Sequence, residues 1–262
     1  MTTDLTRIAE DSARGGFFLA SGSFMSTVIL AITAILVGRL LGPELYGEYA
    51  LSFVVTEMLY VFADFGITAG VVKYSASLRA EGKISRAARI IKHAMILKAA
   101  TGLAFFILNF ALADFFAAAL LNRPELGFYI RVVSVSIIFQ VVCSVATSAY
   151  LGLDKTHYSA LTSNIQAVSK AIISIALVLL GFSVAGAVLG HVAGYIIAGV
   201  FCSSILLLIL RKSAKNSDDN IGFTQTSKTL IRYGIPLYLS AILTGFAYPY
   251  QSFILAIFTT NI

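Results

Sequence analysis

Glu57, Tyr60 and Asp64 stand at i, i+3 and i+7 in an otherwise apolar stretch, a spacing that places all three on one face of a helix. Two further polar stripes have helical spacing: Ser136, Gln140, Ser144 and Thr147 or Ser148 in span four, and Ser163, Gln166, Lys170 and Ser174 in span five. Carboxylates in such a setting could carry a proton or a sodium ion, an ammonium could hold an anion, and amides and hydroxyls could bind a polar cargo. Ionisable groups are costly inside a bilayer, so they face a protein interior or a watery cavity. Three helices with one polar face each therefore imply a bundle around a hydrated lumen. Ser and Thr also bond back to their own helix, so the weight of the reading rests on Glu57 and Lys170. Lys98 lies near a span end and is expected to snorkel to the interface. His191 could titrate with pH, although a lone histidine is more often structural. Cys143 and Cys202 both sit in apolar stretches and read as small buried hydrophobes rather than a disulfide. Metal-ligand spacing, a nucleophile beside its base and a phosphate-cradling glycine loop are not found in the sequence. The expectation is a protein that is not an enzyme and takes no metal or cofactor, a coupling H+ or Na+ ion aside.

The elements that must position these residues follow from composition. Of 262 residues 58% are hydrophobic and 12% charged, with a mean hydropathy of +0.87. Soluble domains carry about 25% charged residues, so the solvent for most of this chain is lipid. A crossing needs about 20 apolar residues. Residues 15–38 make the first span, 47–70 the second, 95–113 the third and 132–151 the fourth. Residues 171–210 contain no Asp, Glu, Lys or Arg. Forty residues of helix would reach about 60 Å, twice the membrane core, so the run must fold back. "GFSVAG" at 181–186 is the evident hairpin, giving spans five and six. Residues 233–262 start a seventh span. The fold class expected is all-α, a polytopic membrane helix bundle of six full spans plus a seventh. No cleavable signal is visible at the N-terminus.

Charge placement orients the bundle. With the N-terminus inside, fourteen Lys and Arg fall on inner segments and three, Arg39, Arg123 and Arg131, on outer ones. The net charge of +6 is thus a topology signal rather than a sign of nucleic acid. The organisation expected is a cytoplasmic segment 1–14, a six-helix lobe 15–210, a cytoplasmic linker 211–232 and the first helix of a truncated second lobe at 233–262. In the basic loop "KYSASLRAEGKISRAARIIKHA", Ser85 could cap a helix that presents Arg86, Arg89 and Lys92 to anionic headgroups. Gly186, Gly190 and Gly194, spaced by four, form a small-residue stripe for close helix packing.

The turn after the first span is more particular than a turn needs to be. In "GRLLGPELYGEYAL", residues 38–51, Gly42-Pro43 stops the helix, Gly47 permits reversal, and Tyr46 and Tyr49 suit the membrane boundary. Gly38-Arg39-Leu40-Leu41-Gly42-Pro43-Glu44 with Tyr46, Gly47 and Tyr49 resembles the segment that ends the first span of polysaccharide and O-antigen flippases. These belong to the multidrug/oligosaccharidyl-lipid/polysaccharide exporter superfamily. Asp64-Phe65-Gly66-Ile67 with Ala69, Lys73 and Ala76, the basic loop, and "YGIPLYLSAIL" at 233–243 look similar to the same family. The resemblance implies two six-helix lobes facing a central cavity in the cell (cytoplasmic) membrane. It further implies alternating-access translocation of an isoprenoid (pyro)phosphate-linked oligosaccharide, among membrane lipids and other polysaccharide assembly proteins. A cationic cavity residue would suit the phosphates, which points to Lys170 and Arg14, while Glu57 or Asp64 could carry a coupling ion. Gln140 and Gln166 complete the cavity candidates. A multidrug or toxin extrusion cation antiporter would share this architecture but lean on the acidic residues. A membrane polysaccharide polymerase or glycosyltransferase would need a larger outer loop than 39–46, 114–130 or 181–186 supplies. The chain reads as a fragment that ends within its second lobe.

Overall fold

Two glycines turn two overlong apolar runs into four crossings. The computed structural model describes the backbone of residues 2–213 and 222–259, and side chains within 15–212 and 222–242. Helix α1 (Thr2–Phe62) contains an apolar run of 48 residues, Gly15–Phe62, which would be about 72 Å long if straight. It breaks at Gly42, whose φ of 79° and ψ of 171° are open only to glycine. Pro43 follows, with no amide hydrogen to lose and a φ already suited to starting the second arm. The arms run antiparallel, so the Tyr46 ring lies over Gly38. Gly47, expected at the reversal, is instead inside the second arm, because Gly42 alone makes the turn.

The second long run, Thr156–Lys212, has 57 residues. It comprises α6 (Thr156–Leu177), a π turn (Val178–Phe182) and α7 (Ser183–Ser213). Gly181 (φ 91°) and Ser183 (φ 49°) reverse the chain within the expected hairpin. Opposed contacts give its register: Gly186 faces Leu177, Gly190 faces Ser174, and Gly194 faces Gln166 and Lys170. The small-residue stripe therefore seats α7 directly on α6. The fifth crossing starts at Thr156, ahead of the polar stripe that begins at Ser163, and its early polar residues turn to protein rather than lipid.

Between these hairpins lie α2 (Ile67–Ala80), α3 (Ile84–Ala111), the single turn α4 (Ala113–Phe115) and α5 (Gly127–Gly152). No strand occurs among the described residues, and the chain is an all-α, multi-pass membrane bundle. Helix α5 is the central post. Ile130, Val133, Ile137, Val141, Val145 and Ala149 on it are all fully buried. Lipid-facing positions such as Phe24, Ile172, Leu179 and Leu180 are exposed and apolar. On the inner side Arg79 pairs with Asp154 at 2.8 Å, joining the end of α2 to the turn after α5. Lys83 Nζ lies 2.8 Å from Glu81 Oε2 and holds that carboxyl below its ordinary range. Lys83 itself is the N-cap of α3, with no side-chain cap bond, so Ser85 does not cap this helix.

The second crossing ends at Phe62 rather than at 70. Helix α2 then starts at Ile67 behind Gly66, which is left-handed at φ 70°. Helix α8 (Phe223–Thr259) packs against that break. A Cβ on Gly66 would strike the backbone of Gly234, and one on Gly234 would strike Gly66. Lys73 Nζ sits 3.9 Å above the Tyr233 ring and His93 Nδ1 is 3.0 Å from Thr226 Oγ1, so the first turns of the helix are held at more than one point. The expected linker 211–232 is thus helical at both ends, to Ser213 and from Phe223.

These contacts make a test of the α6–α7 seam. A Cβ at Gly190 would collide with the Ser174 backbone, whereas one at Gly16 meets nothing within 4 Å. Gly190→Leu is expected to lower the thermal midpoint and the yield of monodisperse protein, overpacking costing about 1–3 kcal/mol or more. Gly16→Ala should leave both unchanged in the same fluorescence-detected melt.

Candidate functional site

The lumen of the lobe is lined by α1, α5, α6 and α7 and divides into two adjoining cavities. The first, of about 290 Å³, holds Glu57, Lys170 and His191 among Thr33, Tyr46, Tyr49 and Phe53. The second, of about 350 Å³, holds Tyr60, Gln140, Ser144, Gln166 and Tyr195 among others. Leu30 borders both. Gln140 links them: its Nε2 donates to Glu57 Oε1 at 3.2 Å and to Ser136 Oγ at 3.1 Å. Ser136 in turn donates to the Val133 carbonyl at 2.7 Å, so this network ends on the backbone of α5.

Glu57 is consequently oriented by a neutral amide and not by a counter-ion. Lys170 lines the same cavity as Glu57 with no direct ion pair among the described residues. His191 is 7% exposed, and neither ring nitrogen has a hydrogen-bond partner. Its ring is held by aromatic contacts, tilted against Phe53 with centroids 4.4 Å apart and edge-on to Tyr195 at 5.0 Å. An ammonium and an imidazole with unspent hydrogen-bonding capacity in one cavity could hold an anionic group. Glu57 in the same cavity could hold a cation or a proton. The serines and threonines contribute less, since Ser144 donates to Val141 O at 2.8 Å and Thr147 to Cys143 O at 2.9 Å.

Several expected site residues lie elsewhere. Asp64 is in the non-helical break after Phe62, so it does not share the face of Glu57 and Tyr60 and lines neither cavity. Its Oδ1 instead lies 2.6 Å from Lys98 Nζ, and Thr68 Oγ1 donates to its carboxylate at 2.9 Å. Lys98, expected to snorkel, is only 1% exposed. An ionic partner on the neighbouring element replaces the water it would otherwise seek. Tyr49, expected at the boundary, is buried in the cavity wall, with Tyr46 5.7 Å away between ring centroids. Arg39 and Pro43 are exposed on the outer turn. The side chain of Arg14 falls outside the described residues.

The sequence reading missed three contributors. Ser26, Leu30, Thr33 and Val37 follow helical spacing along the first span and form one cavity wall. The pattern is a regular stripe, masked by the apolar residues around it. Tyr195, four residues after His191, closes the wall between the cavities. Asn109 Nδ2 donates to Thr56 Oγ1 at 2.8 Å, a fully buried amide clasp between α3 and α1 beside Glu57.

The sequence matches the family model described as "Polysaccharide biosynthesis protein" over residues 12–261. Among curated proteins no match is found. Among solved structures the fold is similar to an outward-facing multidrug resistance MATE family transporter of the MOP superfamily. That match has a TM-score of 0.77 at 19% identity and covers 91% of this chain and 54% of the other. A MOP superfamily transporter from Pyrococcus furiosus, described as having a binding pocket of reverse polarity that suggests a different function, matches with a TM-score of 0.75. It is 18% identical, over 91% of this chain and 54% of its own. A MATE structure in complex with Br-NRF gives 0.73 at 20% identity, over 90% and 55%. The chain thus spans about half the length of the solved transporters it matches.

The buried pair generates its own prediction. Removing one partner of such a pair typically costs about 3–5 kcal/mol, because the survivor is left charged and unsolvated. Asp64→Asn should therefore lower the thermal midpoint sharply. Asp64→Asn combined with Lys98→Met should recover most of the loss, and a double-mutant cycle reads the coupling. Additive losses would mean the two groups do not stabilise each other.

Proposed function

Because the chain belongs to the polysaccharide biosynthesis protein family, we propose that it is the front lobe of an exporter for lipid-linked oligosaccharides. The whole protein would pass an isoprenoid phosphate- or pyrophosphate-linked glycan across the cytoplasmic membrane by alternating access. One observation supports this reading: Lys170, in no direct ion pair among the described residues, lines one cavity with His191, whose ring nitrogens have no hydrogen-bond partner. Both can donate to phosphate oxygens, and in a cavity shielded from bulk water such charge-assisted bonds are strong. The Gln140, Gln166, Ser and Thr groups of the adjoining cavity suit sugar hydroxyls. Glu57, held by Gln140, is placed to carry the coupling proton or sodium ion. The protein moves its cargo without breaking a bond in it, needs no resident cofactor, and works with other polysaccharide assembly proteins in the membrane.

A second reading, a multidrug or toxin extrusion cation antiporter, is supported by the position of Glu57 in the same cavity and by the fold shared with MATE transporters. The two readings assign opposite signs to the cargo.

Export into vesicles containing the full-length protein separates them. Loss of one charged hydrogen bond costs about 1.5–3 kcal/mol, so Lys170→Ala should reduce glycan-lipid export roughly tenfold to a hundredfold with unchanged protein level. Glu57→Gln should remove the dependence on the ion gradient. Unchanged glycan-lipid export in Lys170→Ala, with loss of small-cation export in Glu57→Gln, would establish the second reading instead.

A further inference from the structure

The chain contains two cysteines, 59 positions apart, and the fold brings them together. Cys143 is on α5 and Cys202 on α7, and their sulfurs are 3.7 Å apart. Both are free thiols. Cys202 is fully buried, and its thiol is shared between the Cys143 sulfur and the Gly199 carbonyl at 3.4 Å. Cys143 is half-buried and lines the 350 Å³ cavity. The helices are already locked in register around the pair. Gly199 seats against Phe139 below it, and Tyr150 Oη donates to the Cys202 carbonyl at 2.6 Å above it.

We infer that Cys143 and Cys202 form an oxidisable dithiol, closed to an intramolecular disulfide by a membrane-soluble two-electron oxidant of the diazene class. A disulfide sulfur–sulfur bond is about 2.05 Å, so the sulfurs must approach by a little over 1.5 Å. Side-chain rotation of two residues on fixed helices supplies that order of movement. The two cysteines differ in access, which sets the sequence of events. Cys143 meets the oxidant from the cavity and loses its proton as its sulfur bonds to it. Cys202, inaccessible to the oxidant, then displaces it with its own sulfur and loses the second proton. Two S–H bonds break and one S–S bond forms. Two electrons and two protons leave on the oxidant, which departs as the hydrazine. The product ties α5 to α7 in the cavity wall and removes the thiol exposed there.

This arrangement does not depend on what the lumen carries. Neither sulfur belongs to the Glu57, Lys170 and His191 group, and the inference holds for either cargo sign.

The test treats the full chain in lipid nanodiscs with diamide, then denatures it, alkylates remaining thiols with iodoacetamide and maps the peptides. Expected is a linked pair of peptides carrying Cys143 and Cys202, lighter by two hydrogens, on a monomeric band. Dithiothreitol should restore alkylation of both. Cys143→Ser and Cys202→Ser should each abolish the link, and Cys143→Ser should also slow any reaction of Cys202 in the folded protein. Full alkylation of both sulfurs after diamide would overturn the inference. So would a bond formed only between two molecules, or oxygen added to the sulfurs separately.

Discussion

A lysine ammonium buried in a membrane bundle must be neutralised where it stands, and the fold of this lobe is arranged around one such neutralisation. Lys98 of α3 meets Asp64 only because the second crossing stops at Phe62 and the chain bends before α2 begins. A continuous helix through residue 64 would set the carboxylate on the turn following Tyr60 instead. The bend also presents Thr68 to the same carboxylate and the Ala63 carbonyl to Thr101, at 3.3 Å. One ion pair therefore accounts for the end of the second crossing, the direction of α2 and the position of α3. The central helix α5 then fills the space these three leave.

The lumen follows a different rule. Its ionisable groups form no direct ion pair among the described residues: Glu57 accepts from an amide, Lys170 lines the same cavity, and both nitrogens of the buried His191 ring are without a hydrogen-bond partner. Direct pairing in the break and opposite charges held apart around one cavity are complementary solutions. The first fixes backbone, and the second leaves hydrogen-bonding groups uncommitted. Close helix packing through Gly186, Gly190 and Gly194 keeps α6 and α7 near enough for Lys170 and His191 to border the same space.

Much of this was legible in the residues. Hydropathy located the crossings, glycines at 42 and 181 located both hairpins, and helical spacing put Gln140, Gln166 and Lys170 on inward faces. What periodicity could not supply was any partner on another element. Asp64 fits the stripe of Glu57 and Tyr60 by spacing, yet Gly66, two residues on, takes a left-handed conformation and ends the pattern. Lys98 read as an interfacial lysine because its counter-ion lies 34 positions away. The first turns of α6, before Ser163, were hidden for a related reason. Ser159, Thr162 and Asn164 lower the local hydropathy, but they are packed against other helices, with Asn164 Nδ2 donating to Gly22 O at 3.1 Å. A scale of transfer into lipid misjudges any segment whose polar side never meets lipid.

The meeting of Gly66 and Gly234 bears on how α8 communicates with the rest of the bundle. At most helix crossings side chains intervene, and rotamer changes absorb small shifts of one axis against the other. Here two main chains touch with no side chain between them, so no soft degree of freedom lies in the path. A tilt of α8 bears on the peptide planes at 64–66 as a lever bears on its fulcrum. That fulcrum is continuous in backbone with the helical arm carrying Glu57, less than three turns away.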